Sequence, residues 1–480
     1  MNTKRDHLIE ILHINYRTIK NNLLPLLTLV LGLLGTNQLY ENMLKIGFFL
    51  LCTLIVVFSI CSWYCKKFDF NAEKITLSEG VFRRKYQEIA INRVKSIHTS
   101  DSLPKRLLGV SNFNVELIGG EEVSFVLSNK GIVEIKNTVF GEYDLEITDT
   151  ASNNLTVLPC LLLAVTNPRI FWSAFVLTFT VVSFLYTPIA RWVGIEGAEV
   201  EQKNVIESGR SVVEIPIEAW LAMIPIVCGL SILSTFVAAI YVFFMYKNYQ
   251  ITKIEKQIYI SYGFFEKKDY QIPIQEIRSI RIIEPLSFRP FGYVQLKIDP
   301  IGMSTKTSRD LYFRPILKQK EVADVIKQYL PMFDVIEINR KAKKALLPDY
   351  LLKAIWSPTI ILLAFIYLHP IFLFGSVLLP FFLYVGYLRW KYAGLLFDDK
   401  FISHSEYKWL QSTKMITLKK YIQHTGISQS PLTKVRKASS YYYSVYSGNE
   451  SYQLYGLSDE YQDQFITYPT FFAKKHQPPK

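Results

Sequence analysis

Apolar residues fall into two patterns along this chain: long stretches almost free of charge, and between them segments of ordinary globular composition. Six stretches read as membrane spans, because a helix crossing the hydrocarbon needs roughly 20 mostly apolar residues. They cover residues 22–40, 46–64, 170–189 and 220–246, and a pair within 351–388 divided by the His369-Pro370 turn. That last pair has just the length for two crossings, so a re-entrant hairpin is the alternative there. Leu158-Pro-Cys-Leu-Leu-Leu precedes the third span and Leu347-Pro-Asp-Tyr-Leu-Leu the fifth, with residues 7–20 as an equivalent lead-in to the first. These segments read either as short helices lying at the interface or as inward extensions of the spans.

Between the spans the pattern changes to that of strands, and it repeats. KITLSEGVFRRKYQEIAINRVKSI (74–97) aligns without a gap on QIYISYGFFEKKDYQIPIQEIRSI (257–280), bringing Gly80 onto Gly263 and Ile89 onto Ile272. Ile75, Leu77 and Val81 flank Ser-Glu-Gly, and Ile258, Ile260 and Phe264 flank Ser-Tyr-Gly. Apolar alternation around a glycine predicts a β-hairpin. The match continues through Arg106-Leu-Leu-Gly109 and Arg289-Pro-Phe-Gly292 to helical patterns over 130–140 and 318–330. A third copy, in 400–424, keeps Ile416, Leu418 and Tyr421 in alternation but lacks the turn glycine, and its Arg-x-x-Gly is degraded to Lys434-Val-Arg-Lys437. Each unit is thus a set of short strands closed by a helix, a small sandwich or barrel with a helical cap.

Charge fixes an orientation. Lys4, Arg5, Arg17 and Lys20 precede the first span, Lys66 and Lys67 follow the second, and Arg389 and Lys391 follow the last. Lys247 follows the fourth, and Lys341, Lys343 and Lys344 precede the fifth. The loop over 191–219 is acidic instead, with Glu196, Glu199, Glu201, Glu207, Glu214 and Glu218. The positive-inside rule then places both termini and all three strand-rich segments in the cytoplasm. The same rule accounts for the net charge of +13; with no recognition motif beside it, nucleic acid is not an expected partner. The interiors of the spans lack Asp, Glu, Lys and Arg, with Lys353 at the start of the fifth, which argues against ion-coupled transport or a proton channel.

The unit of a two-span hairpin followed by K-I-x-L-x-x-G-x-F and I-x-I-x-x-V-x-S-I resembles the bacterial pleckstrin-homology-like, membrane-flanked domain. The resemblance is carried by Lys74, Ile75, Gly80, Ile89, Ile91, Val94, Ser96 and Ile97, and in the second copy by Ile258, Gly263, Ile272, Ile274, Ile277, Ser279 and Ile280. Three such units with six spans are similar to the YdbT-like membrane proteins of low-GC Gram-positive bacteria. The resemblance implies partial barrels of antiparallel strands with a C-terminal helix, used for binding and not for catalysis. It also implies a smaller membrane partner with one such domain, and a link to tolerance of antimicrobial peptides.

The expected fold is therefore polytopic membrane α-helical hairpins plus α+β, with three PH-like partial β-barrels each capped by a C-terminal helix. Residues 1–65 form the lead-in and first hairpin, 66–150 the first PH-like domain, 151–246 an interfacial segment and second hairpin, 247–340 the second domain, 341–389 an interfacial segment and third hairpin, and 390–480 a divergent third domain.

Candidate chemistry is sparse. The cysteines (Cys52, Cys61, Cys65, Cys160, Cys228) form no CxxC and the histidines no HExxH, so neither a disulfide framework nor a metal site is proposed. No GxSxG, P-loop or GxGxxG is present, and no enzyme or cofactor is expected. Arg83, Arg84 and Lys85 lie just past the first hairpin turn, with Lys267 and Lys268 in the matching place. Near a membrane such a cluster either holds anionic lipid, at roughly 1 kcal/mol per residue, or is a solvated cytoplasmic face. Arg106 and Arg289 read as loop-fixing cations bonded to backbone carbonyls. Tyr441, Tyr442 and Tyr443 offer either a partner-docking surface or a strand packed inside its own domain. The reading that follows is a non-enzymatic membrane protein, with membrane lipids and a small homologous membrane protein as partners, in cell-envelope maintenance. A peptide or lipid exporter is the alternative.

Overall fold

In the computed structural model, helices alternate with blocks of antiparallel strands in the order that the hydropathy pattern predicts. The described residues are 5–21, 38–71, 73–117, 122–140, 149–153, 156–193, 217–301, 311–333, 340–368, 375–398, 400–408, 410–445 and 451–458. The chain begins with α1 (Glu10–Asn21) and α2 (Gln38–Cys65), then β1 (Lys67–Phe70), β2 (Lys74–Glu79), β3 (Lys85–Ala90), β4 (Val94–Ser102), α3 (Leu103–Leu107), β5 (Val110–Leu117), β6 (Glu122–Ser128), α4 (Asn129–Phe140) and β7 (Asp149–Asn153). Next come α5 (Val157–Thr166), α6 (Pro168–Val193) and α7 (Ile217–Met245), followed by β8 (Tyr249–Ile254), β9 (Gln257–Tyr262), β10 (Glu266–Pro273), β11 (Ile277–Pro285), β12 (Tyr293–Pro300), β13 (Tyr312–Lys318) and α8 (Val322–Tyr329). The last third holds β14 (Arg340–Lys341), α9 (Leu347–Leu368), α10 (Leu379–Tyr392), β15 (Gly394–Phe397), β16 (Phe401–Lys408), β17 (Gln411–Leu418), β18 (Ile422–Ser428), α11 (Pro431–Val435), β19 (Ala438–Val445) and β20 (Ser451–Ser458).

The chain divides into two units, and the repeats do not coincide with them. One unit comprises Met1–Ser152, Asn248–Gln275 and Gly302–Ser304; the other comprises Asn153–Lys247, Glu276–Ile301 and Thr305–Lys480. The segment expected as the second domain, 247–340, therefore contributes strands to both.

In the first unit, β1, β2 and β3 form a three-stranded sheet, and the other strands form a seven-stranded sheet in the order β6-β5-β4-β10-β9-β8-β7. All the registered pairs are antiparallel. The predicted alternation is visible in burial: Ile258, Ile260 and Tyr262 of β9 point inward while Gln257, Tyr259 and Ser261 are partly exposed. Phe68, Ile75, Leu77 and Ile89 of the small sheet pack on Ile97, Phe113, Val115, Phe125 and Leu127, and α4 closes the core with Ile132 and Ile135. Each of these side chains contributes about 1.5–3 kcal/mol when fully buried. Two facing sheets closed by a helix is the PH-like arrangement, here open between the sheets and not a closed barrel. The N-terminal lead-in is tied to this body. Asp6 accepts from Val126 N at 2.7 Å and pairs with Lys66 at 2.7 Å, and Trp63 Nε1 donates to the Asp6 carbonyl at 2.8 Å.

In the second unit, the seven-stranded sheet runs β13-β12-β11-β17-β16-β15-β14, and β18, β19 and β20 form a separate sheet. Leu395 and Ile402 of the larger sheet pack on Tyr441, Tyr443, Val445 and Leu457 of the smaller one. The helix α8 buries Val322, Ile326 and Tyr329, with Tyr329 edge-on to Phe313 at 5.7 Å.

Two helical stretches, Val227–Met245 and Lys344–Tyr367, are long and apolar enough to cross a membrane among the described residues. The others meet less of the expectation. The apolar part of α2, Phe49–Cys65, is shorter than a span, α10 has 14 residues, and most of the expected first span (22–40) lies outside the described residues. Residues 194–216 of the acidic loop and the His369-Pro370 turn lie outside them too. The two lead-ins behave differently. α5 and α6 are together long and apolar enough for a third crossing but are bent by 94° where they meet, as in a broken span or a re-entrant loop, whereas Leu347 begins α9 and continues into it unbroken. α5 is packed beside α7, burying Cys160, Leu163 and Ala164.

Candidate functional site

The hairpin turn that carries the basic cluster is set by backbone geometry. Gly80 and Gly263 both have φ of 110°, and a Cβ at either position would run into a backbone carbonyl across the turn, of Arg83 or Glu266. Only glycine reaches this conformation freely. Beyond Gly80, Arg83, Arg84 and Lys85 are exposed and line a cavity of about 840 Å³ with Ser62, Lys66, Glu79 and Tyr86. This places the cluster beside the C-terminal end of α2, where the chain leaves its apolar helix. Lys66 does not add to it freely, since its ammonium is held by Asp6 and by the Ser124 carbonyl at 2.8 Å.

The matching lysines are placed differently. Lys267 and Lys268 lie on β10, which has β4 along its edge, and they face Asp269 at 3.3 Å and Glu266 at 4.0 Å. The structure thus does not unite the five cations in one site. The tyrosines are divided as well. Tyr441 and Tyr443 are fully buried in the core of the second unit, and Tyr442 lies on the opposite face against Gly426 and His424. Arg289 departs from the expected carbonyl bonding. Its guanidinium lies 4.5 Å from the Tyr392 ring and 5.3 Å from the Tyr407 ring, with Glu284 at 3.5 Å.

The serines of the repeated motif have a shared use. Ser96 Oγ donates to Glu116 at 2.5 Å, and Ser279 Oγ donates to Asp299 at 2.8 Å. Two residues on, His98 lies 3.8 Å from Glu116 and Arg281 lies 2.6 Å from Asp299. A buried carboxylate bonded to a serine recurs in the first two repeats, and only the second adds a guanidinium bond; in the third, Gly426 stands in the place of His98 and Arg281, and Ser444 in that of the acid. Burial holds His98 down to about 4, with Lys268 adding to the effect, even though Glu122 is 3.5 Å away. Burial likewise holds His404 down to about 3, with Arg281 and Lys408 adding to it; its Nδ1 shares a hydrogen bond with the Tyr443 hydroxyl. Both rings are thus neutral packing groups. Among the described residues, no group of His, Cys, Asp and Glu could hold a metal ion.

A second cavity, of about 590 Å³, was not signalled by any motif. It lies in the second unit where α9 and α10 meet the strands. Gly386 lets the two helices approach, since a Cβ there would be 2.9 Å from Ala354 Cβ and 3.0 Å from the Tyr350 carbonyl. Ala354, Phe381, Phe382 and Val385 make one wall apolar. Arg389, Lys353 and Lys408 bring cations to the rim, with Lys408 paired to Glu406 at 2.6 Å. Among the described residues, Arg389 Nε and the Tyr407 hydroxyl are buried there without a hydrogen-bond partner. Burial also raises the Tyr407 pKa, which keeps its hydroxyl a donor. Orphaned buried donors cost free energy, and here they face a space with an apolar wall. That combination suits a ligand with an anionic head and an apolar body. Sequence alone showed Arg389 only as a basic flank of a span, because its partners come from 18 and more residues away.

A model of the bacterial PH domain matches this chain over residues 23–137 and 158–332. The chain is also 24% identical over 454 residues, 89% of its own length and 88% of the relative's, to the UPF0699 transmembrane protein YdbT of Bacillus subtilis (strain 168). No solved structure matches it. With the PH-domain model matched over more than half of its length, and with facing antiparallel sheets closed by a helix, the chain belongs to the bacterial PH domain family.

Proposed function

We propose that this chain is a non-enzymatic membrane protein whose three hairpins hold PH-like units at the cytoplasmic face, where they bind anionic amphiphiles. In this reading it assembles with a smaller membrane protein carrying one PH-like unit, in maintenance of the cell envelope or tolerance of antimicrobial peptides. The observation that carries the binding role is the cavity between α9, α10 and β16, with Arg389 and Tyr407 as unsatisfied donors above an apolar wall. A cation at the end of an apolar helix meets the lipid head groups, and a buried charge-assisted bond to a phosphate is stronger than one in water.

The test is native mass spectrometry of the full chain released gently from its membrane. Wild type is expected to retain an anionic phospholipid that Arg389→Ala loses, with retention of zwitterionic lipid unchanged. Equal retention by both proteins would sink the binding role. The same preparation reads out the partner: a stoichiometric small PH-like membrane protein supports the assembly, and a chain that emerges alone removes it.

A further inference from the structure

Strands from neighbouring repeats are joined at two places, and the two joints have one register. Each repeat has a short 3-10 turn between its first and second sets of strands, at Ile91–Arg93, Ile274–Glu276 and Lys419–Tyr421. The strand before the turn is β3, β10 or β17, and the strand after it is β4, β11 or β18. Within the first unit, β10 pairs with β4, placing Lys268, six residues before its turn, opposite Ser100, nine after its own. Within the second unit, β17 pairs with β11, placing Thr413, again six before, opposite Ile283, again nine after. A repeated register is specified and not incidental, because a one-residue slip turns every side chain to the wrong face.

The rule leaves one strand of each kind unused. Among the described residues, β3 has only β2 beside it, and β18 has only β19. Both are open edges, which natural proteins usually block or pair. β3 ends the chain of pairing with exposed side chains: Tyr86 is 71% exposed, and Phe82, in the adjoining turn, 93%. Its counterpart β10 is covered on both sides.

We infer that β3 of one copy pairs antiparallel with β18 of a second copy, and β18 of the first with β3 of the second. The same rule sets the register: Lys85 opposite Ser428, through to Ala90 opposite Gln423. The second copy is the occupant because each chain carries both missing halves, so the exchange is reciprocal and closes with a two-fold axis, leaving neither edge open. Strand addition of this kind draws its affinity from main-chain bonds. One bond seen at the existing joints is absent. Leu103 N donates to the Phe265 carbonyl and Leu286 N to the Leu410 carbonyl, but Pro431 has that place in the third repeat and no N–H to give. The inference goes beyond the proposed function and needs neither the lipid nor the smaller partner.

The test uses two differently tagged full-length copies co-expressed in membranes, with the five native cysteines replaced by serine. One copy carries Lys85→Cys and the other Ser428→Cys; a second matched pair is Tyr86→Cys with Ile427→Cys, which faces the other way. The shifted control, Lys85→Cys with His424→Cys, moves the partner by roughly 13 Å, beyond disulfide reach. Oxidation is expected to give about ten-fold more covalent dimer between tags from a matched pair than from the control. Failure of both matched pairs overturns the inference. So does a disulfide confined to one chain in the Lys85→Cys, Ser428→Cys double variant, or a cross-link from Lys85→Cys to a smaller protein instead of the second tag.

Discussion

At the scale of single residues, the repeats give internal controls. Gly109 and Gly292 end the short helical turn after β4 and β11 with φ of 65°, and Lys437 holds the equivalent place with φ of 50°. The left-handed conformation costs a residue with a Cβ roughly 1–2 kcal/mol. Lys437→Gly should therefore stabilise the protein by about 1 kcal/mol, and Gly109→Ala should destabilise it by a similar amount. Neither glycine has any atom near its missing Cβ, so the effect is one of backbone strain alone. Thermal unfolding midpoints in detergent decide it. The buried histidines set a pH dependence. The folded pKa of His98 is near 4 and that of His404 near 3, both below the ordinary value of 6.5. An unfolded chain therefore binds protons that the folded one refuses, so stability is full above pH 6.5 and falls as pH drops toward 4. The slope is roughly 1.4 kcal/mol per pH unit for each ring. His98→Gln should flatten the denaturant midpoint between pH 6 and 4, and an unchanged slope would show that other groups carry it.

At the scale of elements, local chemistry was legible and long-range pairing was not. Alternation around Gly80 and Gly263 locates the hairpins because φ above zero and period-two burial are written in neighbouring residues. That β10 lies along β4, and β17 along β11, is set by main-chain edges that look alike in any strand, so no residue type announces it. The same holds for the α9–α10 cavity, where Arg389 and Tyr407 meet only through folding. The clasp of the lead-in was also hidden, yet it recurs: Trp63 Nε1 donates to the Asp6 carbonyl, and Trp390 Nε1 to the Lys343 carbonyl at 3.1 Å. In the first repeat Asp6 adds a buried ion pair with Lys66. Burial raises the Asp6 pKa, with Lys66 opposing, so the carboxylate depends on its partner. Asp6→Ala leaves Val126 N–H without its acceptor and the Lys66 ammonium with the Ser124 carbonyl but no counter-charge, and should cost about 3 kcal/mol. Limited proteolysis should then cut before α1, while Trp63→Phe should cost only about 1 kcal/mol.

At the scale of the whole molecule, the segment expected as the second domain is not a unit of folding. The first half of the second repeat, β8–β10, belongs to the sheet of the first unit, and its second half, β11–β13, to the sheet of the second. Each joint places a buried strand where an independent domain would have an edge: Tyr270 and Ile272 on β10, and Ile277, Ile280 and Ile283 on β11, are all buried. Cutting the chain to 247–340 would expose two edges together with these apolar side chains, and edges of that kind template aggregation. The fragment also loses the six or more paired residues at each joint, against a folding free energy that for a domain of this size is only about 5–10 kcal/mol. The expected outcome is a fragment that aggregates or shows collapsed amide shifts in an NMR spectrum, although the family match gives it a full PH-like sequence. A dispersed, monomeric spectrum would mean that the joints add nothing the single repeat lacks, and the case for a shared register at β3 and β18 would weaken with it.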